Sequence, residues 1–321
     1  MTIGSDSVVY MFPGQSSRHP QMIAKLIREW PQGAAILSLA SEILGRDLAA
    51  QFHPANPGIF ARNRDVQIGV FIANYLHMLR LEQAGVTAEW SLGLSLGEYN
   101  HLVHVGALTF EDALPLVERR GELFEKSLPG TMVAIFPIEA EIVQQRIAAF
   151  GLMDRVAIGL YNAPRQQVLS GDRDAVAKVV AALEDERFLE TVEIETRIPI
   201  HSSIMAAVAE MLKMTLAQTR FRTPNLPYVP NVAGRPLVDP SPNRIRELLV
   251  MHVVSPVRWK SSVDAVAAEV PHAHFVEVGP GTTLYSMFGR GWTPGRRSVA
   301  DHGQNWREGI TRLTADLQHG S

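Results

Sequence analysis

The pentapeptide Gly93-Leu94-Ser95-Leu96-Gly97 holds the first residues whose types and spacing suggest chemistry. In a G-x-S-x-G pattern a serine sits on a tight turn between a strand and a helix, and small flanking residues relieve the crowding the turn creates. Ala88 to Leu92 reads as a short extended run and Glu98 to Val105 has helical spacing, so the flanks are those the pattern requires. Such a turn aims a helix N-terminus at the serine and makes the Leu96 backbone N–H a ready donor to an oxyanion. A serine nucleophile also needs a base, and there are 11 histidines to choose from. His201 is set apart by context, because it follows Ile198-Pro199-Ile200 where the texture of the chain changes and precedes Ser202-Ser203, a helix cap. His101 and His104 fall further along the elbow's own helix, and His272 and His274 alternate on the approach to a strand. His53, His77, His252, His302 and His319 have no distinguishing neighbours. No Asp or Glu stands out as a third triad member, which leaves a backbone carbonyl as the alternative means of orienting the base and fixing its tautomer.

Composition narrows the remaining classes. The 321 residues are 46% hydrophobic and 20% charged, the balance of a folded globular protein large enough for one big domain or two unequal ones. With 30 Lys+Arg against 33 Asp+Glu, there is no electrostatic case for nucleic acid as a partner. Cysteine is absent, which excludes disulfides, thiolate metal sites and a cysteine nucleophile. Neither G-x-G-x-x-G nor G-x-x-x-x-G-K-[ST] occurs, and no His-rich ligand spacing marks a metal site. Met1 to Ser7 lacks the features of a signal peptide and no apolar run reaches the ~18 residues of a membrane span, so a soluble cytoplasmic protein without membrane contact is expected.

The elements that must position Ser95 and His201 alternate between strand and helix. Val8 to Phe12 reads as a buried strand stopping at Pro13-Gly14, followed by helices over Gln21–Trp30, Ala34–Leu44 and Val66–Gln83. Thr109, with Asp112 three residues on, opens a helix through Lys126 that Pro115 should kink, and Arg119 and Arg120 fall on it. Met132–Phe136, Glu139–Phe150, Val156–Tyr161, Gln167–Ser170, Arg173–Glu186 and Leu189–Ile194 then read βαββαβ, the ferredoxin-like split unit. Helix and strand alternation resumes over Ser203–Gln218, Tyr228–Asn231, Asn243–His252, Ser261–Glu269 and Phe275–Val278. The pattern predicts an α/β protein with a mostly parallel sheet formed by residues 1–129 and 200–321, and a small domain inserted at 130–199.

Seven motifs occur in order around that insertion: FPGQSS from Phe12, GLSLGEY from Gly93, the V-E-R-R-G run ending at Gly121, NAPRQQVLSG from Asn162, PIHSS from Pro199, SPVRW from Ser255 and FVEVGPG from Phe275. As a set they resemble the malonyl-CoA:acyl carrier protein transacylases and the acyltransferase domains of polyketide and fatty acid synthases, over nearly the whole chain. The resemblance implies an α/β-hydrolase-like large domain, a ferredoxin-like small one and a site in the cleft between them. It implies Ser95 as nucleophile, His201 as base, the N–H groups of Gln15 and Leu96 as oxyanion donors, and Arg120 as the partner of an acyl carboxylate. Leu94, Ile200 and Asn162 fall at positions that border the acyl group. The implied reaction is ping-pong transfer of a malonyl-type group from coenzyme A to the phosphopantetheine thiol of an acidic acyl carrier protein, with no bound cofactor. Arg155, Arg165, Arg290, Arg296 and Arg297 are candidate docking points for that partner.

Two features depart from the family pattern. Leu94 stands where the family usually has histidine before the nucleophile, and Ile198-Pro199-Ile200 before His201 matches neither the H-A-F-H pattern associated with malonyl groups nor the Y-A-S-H pattern associated with methylmalonyl. With no carrier or ketosynthase segment in it, the chain is expected to be of the discrete, trans-acting kind. Transfer between two carrier proteins, hydrolysis of stalled acyl groups, a non-catalytic carrier-binding module and an unrelated serine esterase are the competing readings.

Overall fold

The computed structural model describes residues 8–289, 291–301, 309 and 313–315, so Arg290, His302 and His319 lie outside the described residues. In chain order the first half comprises β1 (Val8–Phe12), α1 (Met22–Glu29), α2 (Gly33–Leu44), α3 (Leu48–Gln51), α4 (Asn63–Gln83), β2 (Trp90–Gly93), α5 (Gly97–His104) and α6 (Phe110–Phe124). There follow β3 (Thr131–Phe136), α7 (Ala140–Ala149), β4 (Val156–Ala163), β5 (Gln166–Gly171), α8 (Arg173–Glu186) and β6 (Glu190–Glu195). The last group is α9 (Ala206–Gln218), α10 (Pro242–Val254), α11 (Trp259–Glu269), β7 (His274–Glu277) and β8 (Arg296–Val299).

Two sheets organise these elements. The first is parallel, in the order β2-β1-β7-β8, with Val9 opposite both Trp90 and Phe275. Every residue of β1 is buried, as a parallel strand covered on both faces must be. Its alternating side chains divide between two cores: Val9 and Met11 join the main one, while Val8, Tyr10 and Phe12 pack with Leu81, Val86 and Val276. The second sheet is antiparallel, in the order β4-β5-β3-β6, which is the ferredoxin-like order for βαββαβ. Its own core joins Ile135, Ile158 and Leu169 to Val143 and Ile147 of α7 and Val179 and Leu183 of α8. The antiparallel sheet is tied to the segment between α10 and α11, where Tyr161 N–H donates to the Val257 carbonyl (2.9 Å) and Val257 N–H to that of Gly159 (2.8 Å). Among the described residues no helix is long and apolar enough to cross a membrane.

Local signals hold closely. The Thr109 hydroxyl accepts from Asp112 N–H at the start of α6, as the cap spacing predicts. That helix continues through Pro115 rather than breaking there. Pro115 is exposed, and its ring leaves the Glu111 carbonyl without its helical donor. Tyr228–Asn231, expected as a strand, is none. Side chains satisfy part of its backbone, Val229 N–H donating to His101 Nε2 (3.0 Å) and Asn231 N–H to Glu98 (3.4 Å), and single backbone bonds satisfy the Tyr228 and Asn231 carbonyls, which accept from Leu237 and Arg258 N–H (both 2.9 Å). The polar Arg296–Val299 run, not anticipated as a strand, adds to the sheet beside β7.

Candidate active site

The elbow is built by glycine at two close approaches. A Cβ on Gly97 would lie 2.0 Å from the Phe12 carbonyl oxygen, and one on Gly93 2.2 Å from the Gly97 backbone. With those positions stripped to backbone, β2 turns directly into α5 and Ser95 is held at φ 53°, a left-handed conformation that typically costs about 1–3 kcal/mol for a non-glycine residue. Leu94 N–H donates to the Phe12 carbonyl (2.9 Å), fixing the turn against β1. Asn231 holds it from the other side: its Oδ1 accepts from Ser95 N–H (2.8 Å) and its Nδ2 donates to the Gly93 carbonyl (2.6 Å).

His201, also left-handed at φ 67°, meets this turn from the segment leaving the antiparallel sheet. Its Nε2 lies 2.7 Å from Ser95 Oγ, and its Nδ1 lies 2.8 Å from the His252 backbone carbonyl. A carbonyl only accepts, so Nδ1 carries the proton and Nε2 presents its lone pair to the serine hydroxyl. The orienting group is therefore a backbone carbonyl, the alternative that the absence of a marked Asp or Glu left open. Burial pulls His201 down to about 3, with the His252 carbonyl bond opposing and Arg120 assisting, so the imidazole is neutral at neutral pH.

Gln15 lines the cavity over Ser95, and Leu96 follows the serine in the turn. Gly14 packs against Leu94, a Cβ there standing 3.0 Å from the Leu94 carbonyl oxygen, and neither the Gln15 nor the Leu96 N–H has a partner among the described residues. The cavity over Ser95 is about 40 Å³, walled by Leu94, Met132, Leu160, Ile194 and Ile200 with Gln15, Glu195 and His201. A second cavity of about 150 Å³ shares Ile194 and Glu195 and adds Arg18, Asn63 and Arg197. Larger grooves near Arg173 and near Arg246 contain no member of the Ser95–His201 pair.

Arg120 and Asn162 do not line the cavity over Ser95. Arg120 is 1% exposed, lies 4.2 Å over the Phe124 ring and donates to Gln67 Oε1 (2.5 Å), while its Nε has no partner. Arg119 beside it is solvent-facing and paired with Glu122, so burial separates two arginines that look alike in sequence. Asn162 is buried on β4 and its Oδ1 has no hydrogen bond. Of the docking arginines, Arg155 pairs with Asp172, Arg165 with Glu139, and Arg297 donates to the Tyr285 carbonyl. Each is thus already engaged.

Behind the pair lies a polar group that sequence reasoning missed. Glu98, in the first turn of α5, accepts from Tyr228 Oη (2.5 Å) and lies 3.1 Å from His252 Nδ1. Burial pushes its carboxyl up to about 7 against the pull of Tyr228, Asn231 and Arg120. His252, which nothing in the sequence distinguished, stacks on His201 with ring centroids 4.8 Å apart. His101 and His104 are drawn away from Ser95 to Ser91, whose Oγ lies 2.6 and 2.9 Å from their Nδ1 atoms.

A parallel α/β sheet with a strained serine elbow and an imidazole on its hydroxyl defines the class of acyl-transferring α/β proteins. The chain belongs to the family described as acyl transferase domain, which matches residues 9–302. It is 30% identical over 282 residues to the malonyl CoA-acyl carrier protein transacylase of Escherichia coli K12, covering 87% of this chain and 90% of that one. The protein of that name from Bacillus subtilis 168 is 28% identical over 286 residues, covering 87% and 89%. Among solved structures, a malonyl-transacylase in complex with a type II PKS acyl-carrier protein superimposes with a TM-score of 0.88 at 25% identity, covering 96% of this chain and 100% of that one. The protein is accordingly an acyltransferase.

Proposed function

We propose that this acyltransferase moves a malonyl-type group from coenzyme A to the phosphopantetheine thiol of an acyl carrier protein through an ester on Ser95. The observation that carries the reading is the 2.7 Å contact between Ser95 Oγ and a His201 Nε2 whose tautomer is fixed by the His252 carbonyl. Ser95 Oγ attacks the thioester carbonyl as its proton passes to His201 Nε2, and the N–H groups of Gln15 and Leu96 receive the negative oxygen. Collapse breaks the C–S bond, and His201 returns the proton to the departing thiolate. The carrier thiol then reverses these steps: it gives its proton to His201, its sulfur takes the acyl carbon, and Ser95 recovers its proton.

The substrate and carrier assignments are supported by the relatives named malonyl CoA-acyl carrier protein transacylase and by the carrier complex of the similar structure. Arg120, whose Nε has no partner, supplies a fork suited to a carboxylate. Coenzyme A and phosphopantetheine enter as substrate carriers, and the side chains present suffice for the proton transfers without a resident cofactor. The division at 130 and 199 separates the part bearing Ser95 from the part bearing Leu160 and Glu195, with His201 just beyond the second boundary; the cytoplasm, where coenzyme A thioesters are made, is the proposed location. The apolar wall of Leu94, Met132, Leu160, Ile194 and Ile200, with Arg120 outside it, favours a second reading: an uncharged acyl group, exchanged between carriers or hydrolysed from one.

Intact-protein mass spectra after brief incubation with a panel of acyl-coenzyme A and acyl-carrier thioesters separate the two. The first reading expects a malonyl adduct that Ser95→Ala abolishes. Adducts only from uncharged acyl-carrier thioesters would establish the second instead.

A further inference from the structure

We propose that Glu195 is a selectivity residue of this site, set against acyl groups that carry a carboxylate and coupled to Arg120 through a polarised line of side-chain amides. The proposal rests on the acyl-transfer reading of Ser95 given above.

The line runs in one direction. Arg120 Nη1 donates to Gln67 Oε1 (2.5 Å), Gln67 Nε2 to Asn63 Oδ1 (2.5 Å), Asn63 Nδ2 to Gln15 Oε1 (3.4 Å) and Gln15 Nε2 to Glu195 Oε2 (3.2 Å). It begins on a cation, ends on an anion, and every amide between them donates toward the anion. Aligned in this way the dipoles add, and each bond polarises the next. The line crosses from α6 through α4 and the loop after β1 to the last residue of β6, so it joins elements of both sheets. Arg120, Asn63 and Gln67 are all buried, where such polarisation is little screened by water. The other Glu195 oxygen accepts Arg197 N–H (3.0 Å), which holds the carboxylate in place. Among the described residues no carboxylate lies within ion-pair distance of Arg120, and Glu195 is the one its hydrogen-bonded line reaches.

Glu195 walls the same cavity as Ser95, Leu94 and Ile200. An acyl carboxylate that pairs with Arg120, for which its unpartnered Nε is open, neutralises the positive end of the line. The same group also brings a second negative charge toward Glu195. Both effects oppose carboxylated acyl groups and neither acts on an acetyl group carried by the same thioester. Arg18 and Arg197 border the adjoining cavity together with Glu193, and the two cations moderate the field of the two carboxylates, so the discrimination is modest rather than absolute.

The test is the rate of Ser95 acylation by malonyl-coenzyme A and by acetyl-coenzyme A, followed by rapid-quench mass spectrometry and expressed as the malonyl-to-acetyl ratio. The ratio cancels the common coenzyme A contribution and any general loss of folded protein. Glu195→Gln is expected to raise it by about three- to tenfold. Asn63→Ala interrupts the line while leaving Glu195 in place, and with it the effect of Glu195→Gln is expected to shrink, giving a non-additive double-mutant cycle. A ratio unchanged by Glu195→Gln, with Ser95→Ala still abolishing acylation, overturns the role of Glu195 alone. A changed ratio with strictly additive effects overturns the coupling through Asn63. Acylation that persists in Ser95→Ala overturns the catalytic reading, and this role with it.

Discussion

His252 serves His201 twice, its backbone carbonyl accepting the Nδ1 proton at 2.8 Å while its ring stacks on the His201 imidazole with centroids 4.8 Å apart. The two contributions separate on mutation, because a substitution removes the ring and keeps the carbonyl. His252→Gln is therefore expected to retain the His201 tautomer and lower the transfer rate by less than about tenfold, whereas His201→Ala, which removes the proton acceptor, lowers it by about 10²–10⁴. Steady-state rates with a carrier acceptor measure both. A His252→Gln loss as deep as that of His201→Ala would show that the ring, not the carbonyl, orients the base.

Asn231 is the side chain through which the loop after α9 holds the serine elbow. Asn231→Ala leaves the Ser95 N–H and the Gly93 carbonyl without their partners, at a cost of about 1–3 kcal/mol for each group left buried and unpaired. Denaturant unfolding should show that loss together with slower Ser95 acylation. Asn231→Asp keeps an acceptor for Ser95 N–H but no donor for Gly93, so it is expected to fall between wild type and Asn231→Ala. Equal stability of all three would mean that the elbow is held by backbone packing alone.

The contrast between Asn231 and Thr109 explains what was legible in the sequence. Thr109 caps a helix through a partner three residues away, and periodicity marked each strand and helix of the βαββαβ unit to within a few residues. The Ser95–Asn231 bond spans 136 residues and the His201–His252 bond 51, and no local pattern encodes either. The buried Tyr228-Val229 pair has the composition of a strand, yet Val229 N–H donates to the His101 side chain of α5 and the Tyr228 carbonyl accepts from Leu237 N–H rather than from a neighbouring strand. Ser95 and Leu96 were legible because the G-x-S-x-G turn fixes their neighbourhood, and His201 because it stands where the texture of the chain changes, whereas Gln15 came only with the family resemblance. The environment of Arg120 was not legible, since Arg119 and Arg120 differ only in the face of α6 they occupy.

Glu98 gives the protein a pH dependence of definite sign. Its carboxyl, ordinarily at 4.5, is pushed up to about 7 by burial, so between those values the folded chain holds a proton that the unfolded chain has released. Stability from this group is complete below pH 4.5 and is lost as pH rises through 7. His252 is pulled well below its ordinary value by burial and stays neutral across this window. Glu98→Gln, which cannot ionise, removes the dependence while other groups cancel in the comparison. The stability of wild type minus that of Glu98→Gln should fall from pH 4.5 to 7 and level off above it. Urea unfolding at a series of pH values supplies the difference, and a flat profile would sink the assignment.

Arg120 occupies a position that stability alone would not select. A guanidinium that is 1% exposed, with one neutral hydrogen-bond partner and an unpartnered Nε, is held out of water without an ion-paired carboxylate. Burial pulls its pKa down from the ordinary value, which is the same cost seen through protonation. Stacking on Phe124 at 4.2 Å recovers part of it, about 0.5–2 kcal/mol. Arg120→Met keeps the length and the contact with Phe124 while removing the charge, so it is expected to unfold later in denaturant, by about 1–2 kcal/mol. The same variant should lose most acylation by malonyl-coenzyme A and keep that by acetyl-coenzyme A, since only the former has a carboxylate for the guanidinium to bind. Gain of stability with loss of malonyl acylation would mark Arg120 as kept for its substrate. Loss of both would mean that the fold depends on its bond to Gln67, and unchanged malonyl acylation would move the acyl carboxylate elsewhere in the cleft.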